Sequence, residues 1–141
     1  MNEDDSRPHR GDMPDWLRAG WEEARGQSLP LCLMLIDPGH AAEAGGVRAA
    51  LGDALPASAF GPFELDDGRV AAALPATSPE AAYRVAYRVH GALPGGCRMG
   101  LAMAAPRRPE NACALLRHAQ AALCRADREG LAVQGMDVIL D

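Results

Sequence analysis

Residues 30–37, Pro-Leu-Cys-Leu-Met-Leu-Ile-Asp, form an unbroken apolar run closed by the breaker Pro38-Gly39. A run without polar alternation is the signature of a strand covered on both faces, so a sheet is the frame of this chain. Two shorter strands are expected over 58–65 (SAFGPFEL) and 69–74 (RVAAAL), joined by Asp66-Asp67-Gly68, whose Asp-Gly step marks a tight hairpin. Thr77-Ser78-Pro79-Glu80 starts a helix, with Ser78 as cap, Pro79 in the first turn and Glu80 at the positive end of the dipole. Its apolar stripe is Ala82, Val85, Ala86, Val89 and Leu93. After Pro94-Gly95-Gly96 a short strand covers 97–102. A helix then opens at Pro109-Glu110, buries Ala112, Leu115, Leu116, Ala119, Leu123 and Ala126, and stops at Gly130. A last strand covers about 131–140. Ahead of the apolar run, residues 14–25 read as a short helix with Trp16, Leu17, Gly20 and Trp21 on one side, and residues 40–52 read as another.

The order α-β-α-β-β-α-β-α-β contains a central β-α-β-β-α-β, the ferredoxin-like arrangement. The expected class is α+β, a mostly antiparallel sheet with two helices packed on one face. The chain of 141 residues suits one domain over 14–141, preceded by a polar, acidic, disordered tail over 1–13. A chain of this length folds without staples. Cys32, Cys97, Cys113 and Cys124 have no Cys-x-x-Cys pairing and read as small buried apolar residues with free thiols, which suits a reducing, cytoplasmic setting. No apolar run approaches the length of a membrane span.

The charge balance excludes further classes. All 14 basic residues are arginine against 19 acidic ones, a net charge of −5. A phosphate-backbone binder needs a basic face, so nucleic acid is not an expected partner. The absence of lysine removes Schiff-base chemistry and the P-loop lysine clamp. Ser28, Ser58 and Ser78 show no nucleophile-elbow pattern, and His40 and His118 read as structural or surface residues.

Several local patterns agree in order and spacing with one family. Leu33-Met-Leu-Ile-Asp37 resembles the first strand of the GGDEF domain, the palm-like domain of diguanylate cyclases, which ends in a metal-binding aspartate. Arg69-Val-Ala-Ala-Ala-Leu-Pro75 followed by Thr77-Ser-Pro-Glu80 resembles the strand and helix after its signature loop. Arg98-Met-Gly-Leu-Ala102 is similar to its Ser-Ile-Gly-Val-Ala strand, and the 115–126 helix LLRHAQAALCRA to its last helix, LLRRADAALYRAK. The resemblance covers about residues 14–140 and implies a nucleotide-cyclase palm flanked by helices.

At the positions that carry the family's chemistry the same resemblance implies loss. Counting back from Pro75 sets Asp66, Asp67, Gly68, Arg69 and Val70 on the five signature positions, so the glycine pair is gone and the acid that helps hold Mg²⁺ is Arg69. The phosphate-contacting lysine of the last helix corresponds to Asp127, and the arginine four residues later to Leu131. The Phe-Lys-x-x-Asn-Asp stretch that helps recognise guanine, the leading LTGLxNR motif and the Arg-x-x-Asp inhibition site have no counterparts. Two-metal phosphoryl transfer needs carboxylate-held cations, and here Asp37 alone remains. Asp37 reads either as a vestigial metal position or as a turn-capping aspartate, or else as the partner of an Arg69 guanidinium that takes the metal's place. No metal or cofactor is expected.

The resulting expectation is a non-catalytic GGDEF-like domain that acts as a protein-interaction and regulatory module in bacterial cyclic di-GMP signalling. The alternative is an inactive sensor of a guanine nucleotide or cyclic di-GMP. The partner would be another signalling protein, and a homodimer stays open. Candidate interface residues are Trp16 and Trp21, whose alternative is core packing, and the group Tyr83, Arg84, Tyr87 and Arg88 on one helix, whose alternative is an ordinary solvated face.

Overall fold

The structure, a computed structural model, describes residues 13–39, 44–107 and 110–139. The elements are α1 (Asp15–Gly26), β1 (Leu31–Asp37), α2 (Ala44–Ala54), β2 (Phe60–Glu64), β3 (Val70–Pro75), α3 (Pro79–Ala92), β4 (Arg98–Ala104), α4 (Glu110–Glu129) and β5 (Val133–Ile139). This is the order read from the sequence. Apart from Met13 the expected tail lies outside the described residues, as do residues 40–43, His40 among them.

The sheet order is β2-β3-β1-β4-β5. β1 runs antiparallel to β3 and β4, and β3 to β2, while β5 adds to β4 in parallel. The first four strands have the ferredoxin-like order. β1 lies at the centre because Leu31 to Ile36 can be buried on both sides. Cys32, Met34 and Ile36 face one cluster, which includes Val47 and Leu51 of α2 and Ala82, Ala86 and Val89 of α3. Leu31, Leu33 and Leu35 face the other, with Leu17 and Trp21 of α1 and Leu115, Ala119 and Leu123 of α4.

Helices therefore cover both faces, the expected two on one and a further pair on the other. The ferredoxin-like pair, α2 and α3, does share a face. α1 and α4 close the opposite face, and the doubly apolar β1 requires that second cover.

Small side chains set how near α1 and α4 approach. Ala71 and Ala73 of β3, with Ala102 and Ala104 of β4, form their floor. A Cβ placed on Gly20 would meet Ala73 Cβ at 3.3 Å, so α1 lies close to β3. At Gly100 the approach is tighter. A Cβ there would lie 2.3 Å from Leu123 N and 2.6 Å from Ala119 O. The backbone of α4 thus rests on β4, and no larger residue fits between them.

The helix ends follow local chemistry. Ser78 Oγ accepts the Ala81 amide at 3.2 Å, and Pro79 opens α3. Behind α1, Leu29 N donates to Ala24 O and Ser28 N to Arg25 O, a Schellman closure. Its left-handed position carries Ser28, with φ of 56°, where glycine is usual. The hairpin between β2 and β3 is one residue wider than a two-residue turn. Gly68 N bonds Leu65 O, Leu65 N bonds Arg69 O, and Gly68 takes the left-handed conformation at φ of 88°. β2 is interrupted by a bulge between Phe60 and Phe63 and contains Pro62.

Gly100→Ala should lower stability by about 3 kcal/mol, the upper end of core overpacking, as read by urea unfolding. Gly46→Ala, at an exposed helical site with open space around it, should raise stability by about 0.5–1 kcal/mol in the same assay.

Candidate functional site

Strand register brings three charged residues into one row. Asp37 ends β1 and pairs with Arg98 at the start of β4. On the other side the β1–β3 ladder ends at Ile36–Val70, so Asp37 and Arg69 are the next residues along their strands. By strand alternation all three share the face that carries Leu35 and Ala71, beneath α1 and α4.

Each of the three makes its own contacts. Asp37 Oδ1 accepts the Gly39 amide at 3.0 Å, which closes the turn after β1. Arg69 Nη1 lies 3.8 Å from Asp67 Oδ2, and Asp67 Oδ1 accepts the Arg69 amide at 3.0 Å. An Asp37–Arg69 pair, one of the three expectations for Asp37, is not formed. The hairpin supplies Arg69 with a carboxylate two residues away, and the turn supplies Asp37 with an amide two residues away. Both are local partners that require no reach across strands. Asp37 in this arrangement is a turn-capping residue.

Arg98 holds the end of α4. Its Nη1 donates to Leu131 O at 3.1 Å and to Ala126 O at 3.3 Å, and its Nε lies 3.5 Å from Asp127 Oδ1. Leu131 N in turn bonds Ala126 O across Gly130. A guanidinium at a helix C-terminus meets both unsatisfied carbonyls and the negative end of the dipole. Asp127 and Leu131 are thus brought together around one cation. Sequence reading did not single out Arg98, although an arginine at the head of a strand otherwise matching Ser-Ile-Gly-Val-Ala was a signal available for it.

The loop after β1 is fastened to the turn before β4. Cys97 Sγ approaches Pro38 O at 3.8 Å, and a Cβ on Gly39 would sit 2.9 Å from Gly96 O. His90 Nε2 lies 2.9 Å from Cys97 O. Burial pushes the Cys97 thiol up, and the Asp37 carboxylate adds to the shift. Cys32, inside β1, is pushed up to about 12 by burial. Cys113 is half-buried and Cys124 exposed, which corrects the expectation that all four are buried. On α4 the inward stripe is taken by Ala112, Leu115, Ala119, Ala122, Leu123 and Ala126.

The remaining candidates separate. Val70 is buried at the head of β3. Asp66, Asp67 and Gly68 are exposed in the hairpin. Beside them a cavity of about 330 Å³ is walled by Trp16, Leu65 and Leu116 and rimmed by Glu64, Asp66 and Asp67. Trp21 is 2% exposed and belongs to the core, so the packing alternative is realised for it. Trp16 is half-buried, with its ring 5.6 Å from that of Phe63. On α3, Tyr83 and Tyr87 stack at 6.1 Å, and Tyr87 stays 58% exposed between the exposed Arg84 and Arg88. Among the described residues no cluster of three His, Cys, Asp or Glu side chains could hold a metal ion. No helix among them is long and apolar enough to cross a membrane.

No family model and no curated protein matches the sequence. Solved structures with the same fold are GGDEF domains. The GGDEF domain of YfiN (TpbB) from Pseudomonas aeruginosa is 20% identical, with a TM-score of 0.65, covering 92% of this chain and 98% of that one. The GGDEF domain of DgcB from Caulobacter crescentus, solved in complex with c-di-GMP, is 16% identical, with a TM-score of 0.62 and coverage of 89% and 86%. Diguanylate cyclase SiaD from Pseudomonas aeruginosa, solved with its activator SiaC, is 18% identical at a TM-score of 0.58, with 89% of this chain matching 55% of that longer one. The chain therefore has the GGDEF-like palm fold expected from its sequence.

Arg98→Ala should cost about 1–2 kcal/mol in urea unfolding, because the carbonyls of Ala126 and Leu131 lose a charged donor. Asp127→Asn should cost under about 0.5 kcal/mol, since that carboxylate is 71% exposed. A thiol reagent should label Cys113 and Cys124 in the folded protein and all four cysteines in urea. Both thiol shifts are upward, so the unfolded chain loses its thiol protons first. Stability should then fall as pH rises from about 9 toward 12, and fall less steeply in Cys32→Ala.

Proposed function

We propose that residues 14–141 act as one GGDEF-like unit that has given up catalysis and works as a protein-interaction and regulatory module in cyclic di-GMP signalling, on the cytoplasmic side. The observation that carries this reading is Arg69 at the base of the hairpin. On the alignment suggested by Pro75, it takes the position of the second metal-holding acid. A guanidinium has five donors and no acceptor, so it cannot ligate Mg²⁺. Asp37 keeps its carboxylate, but one oxygen is committed to the Gly39 amide. The residues present do not fit a magnesium-bound triphosphate.

The surroundings support the same reading. A triphosphate needs cations along its length. The hairpin cavity instead offers Glu64, Asp66 and Asp67. At the end of α4 stands Asp127, and the nearby guanidinium of Arg98 is spent on that carboxylate and two carbonyls. Arg48, which faces the same hairpin strand from α2, lies 3.6 Å from Glu64.

The exposed part of α3 is the surface best suited to a partner. Tyr87 and the two arginines beside it combine a rigid ring with planar cations, the residue types favoured at interfaces. Their charge suits an acidic partner surface. One cyclase of this fold, SiaD, is held by an activator protein, which sets a precedent for regulation through contact with a second protein.

Incubation with GTP and Mg²⁺ should yield no cyclic di-GMP, and calorimetric titration with GTP or cyclic di-GMP should give no heat at about millimolar ligand. Formation of product would refute the loss of catalysis. A micromolar Kd, about −8 kcal/mol, would replace the interaction module with a nucleotide sensor. The charge-reversed pair Arg84→Glu and Arg88→Glu, with an unchanged unfolding midpoint, should lose the partner that the unaltered domain retains from its native cell.

A further inference from the structure

A further cavity lies at the opposite end of β1 from Asp37. It measures about 640 Å³ and sits where the α1–β1 loop meets the β4–α4 loop, with Arg25, Ser28, Leu29, Pro30, Pro106 and Arg107 in its lining. Its chemistry differs from that of the hairpin cavity, since among the described residues its charged lining is Arg25 and Arg107. Two prolines fix its walls, and Leu29 with Pro30 offers apolar floor. We propose that this corner binds a small organic anion, with its acid group held by Arg25 and Arg107 and its apolar body on Leu29, Pro30 and Pro106.

Three features favour that occupant. The first is cation supply. Arg25 Nη2 lies 2.5 Å from Glu22 Oε1, which leaves other donors of its five-donor fork for a ligand. Arg107 is exposed, and its amide bonds Ala105 O at 2.9 Å, which holds the residue in a tight turn at the mouth. The second is the treatment of the negative end of α1. The carbonyls of Glu23, Ala24 and Arg25 already accept the amides of Gln27, Leu29 and Ser28. That closure blunts the repulsion a helix C-terminus would exert on an anion. The third is Ser28. A side chain in the left-handed region costs energy that glycine would avoid, and such cost is characteristic of functional positions. Here the strained residue is one of those that line the cavity.

The size falls in the range of small-molecule sites. A free nucleotide is not required, and the site does not depend on the loss of catalysis proposed for the other end of the sheet.

The test is an amide-shift titration of the full chain with phenylphosphate, benzoate and inorganic phosphate. Phenylphosphate or benzoate should saturate at low millimolar concentration and move the amides of Ser28, Leu29, Ala105 and Arg107, while those of residues 66–69 stay still. The tighter of the two identifies the acid group as phosphate or carboxylate. Inorganic phosphate, which lacks the ring, should bind about tenfold more weakly. Arg107→Gln should weaken the organic probe about tenfold, because a charge-assisted fork is lost. Ser28→Gly should weaken binding while raising the unfolding midpoint, a combination that a purely structural serine would not produce. Failure of both organic probes to saturate below about 10 mM overturns the proposal. So does equal binding of inorganic phosphate, or binding indifferent to Arg107→Gln.

Discussion

The backbone of α4 lies directly on β4 at Gly100, where even one added carbon would meet Leu123 N at 2.3 Å. Much else follows from this contact. It sets the height of α4 above the sheet, so that Ala102 and Ala104 suffice to fill the gap beside it. It also brings the last turn of α4 over the head of β4, two residues before the glycine. Arg98 can then reach Ala126 and Leu131, and the chain leaves Gly130 already aligned to enter β5 beside β4. A fold held by backbone approach tolerates little change of volume at that point, because interiors are packed near crystal density.

Element order and the central place of β1 were legible because they rest on strong local signals. The apolar run 31–36, the Ser78-Pro79 start and the Gly130 stop each have one dominant physical reading. The second helical layer follows from β1, since the ferredoxin-like pattern by itself accounts for only two of the four helices described. What sequence could not provide was the choice among partners for each charge. Asp37 and Arg69 are neighbours in register, and opposite charge suggested a bond between them. The actual partners lie two residues away: for Asp37 the Gly39 amide of the turn-capping alternative, and for Arg69 the Asp67 carboxylate within the hairpin. The four thiols were read as uniformly buried, although helical spacing puts Cys113 and Cys124 on the flank of the stripe formed by Leu115, Ala119 and Leu123.

The two ends of the sheet differ in electrostatic character. At the end near Asp37, charges of both signs are matched at short range: Arg69 by Asp67, Arg98 by Asp127, Arg48 by Glu64. Such a surface has little long-range pull on a polyanion, whatever its shape. At the other end Arg25 and Arg107 border a hollow that has no carboxylate among its described lining residues. The scaffold thus keeps a GGDEF-like outline while its arginine-lined corner lies at the opposite end of the sheet from Asp37.

The outer strand β2 carries Pro62, which offers no amide to a neighbour, and is bent by the bulge between Phe60 and Phe63. An incoming chain cannot dock there as an extra strand. The proline and the bulge together guard that border of the sheet against growth by added strands.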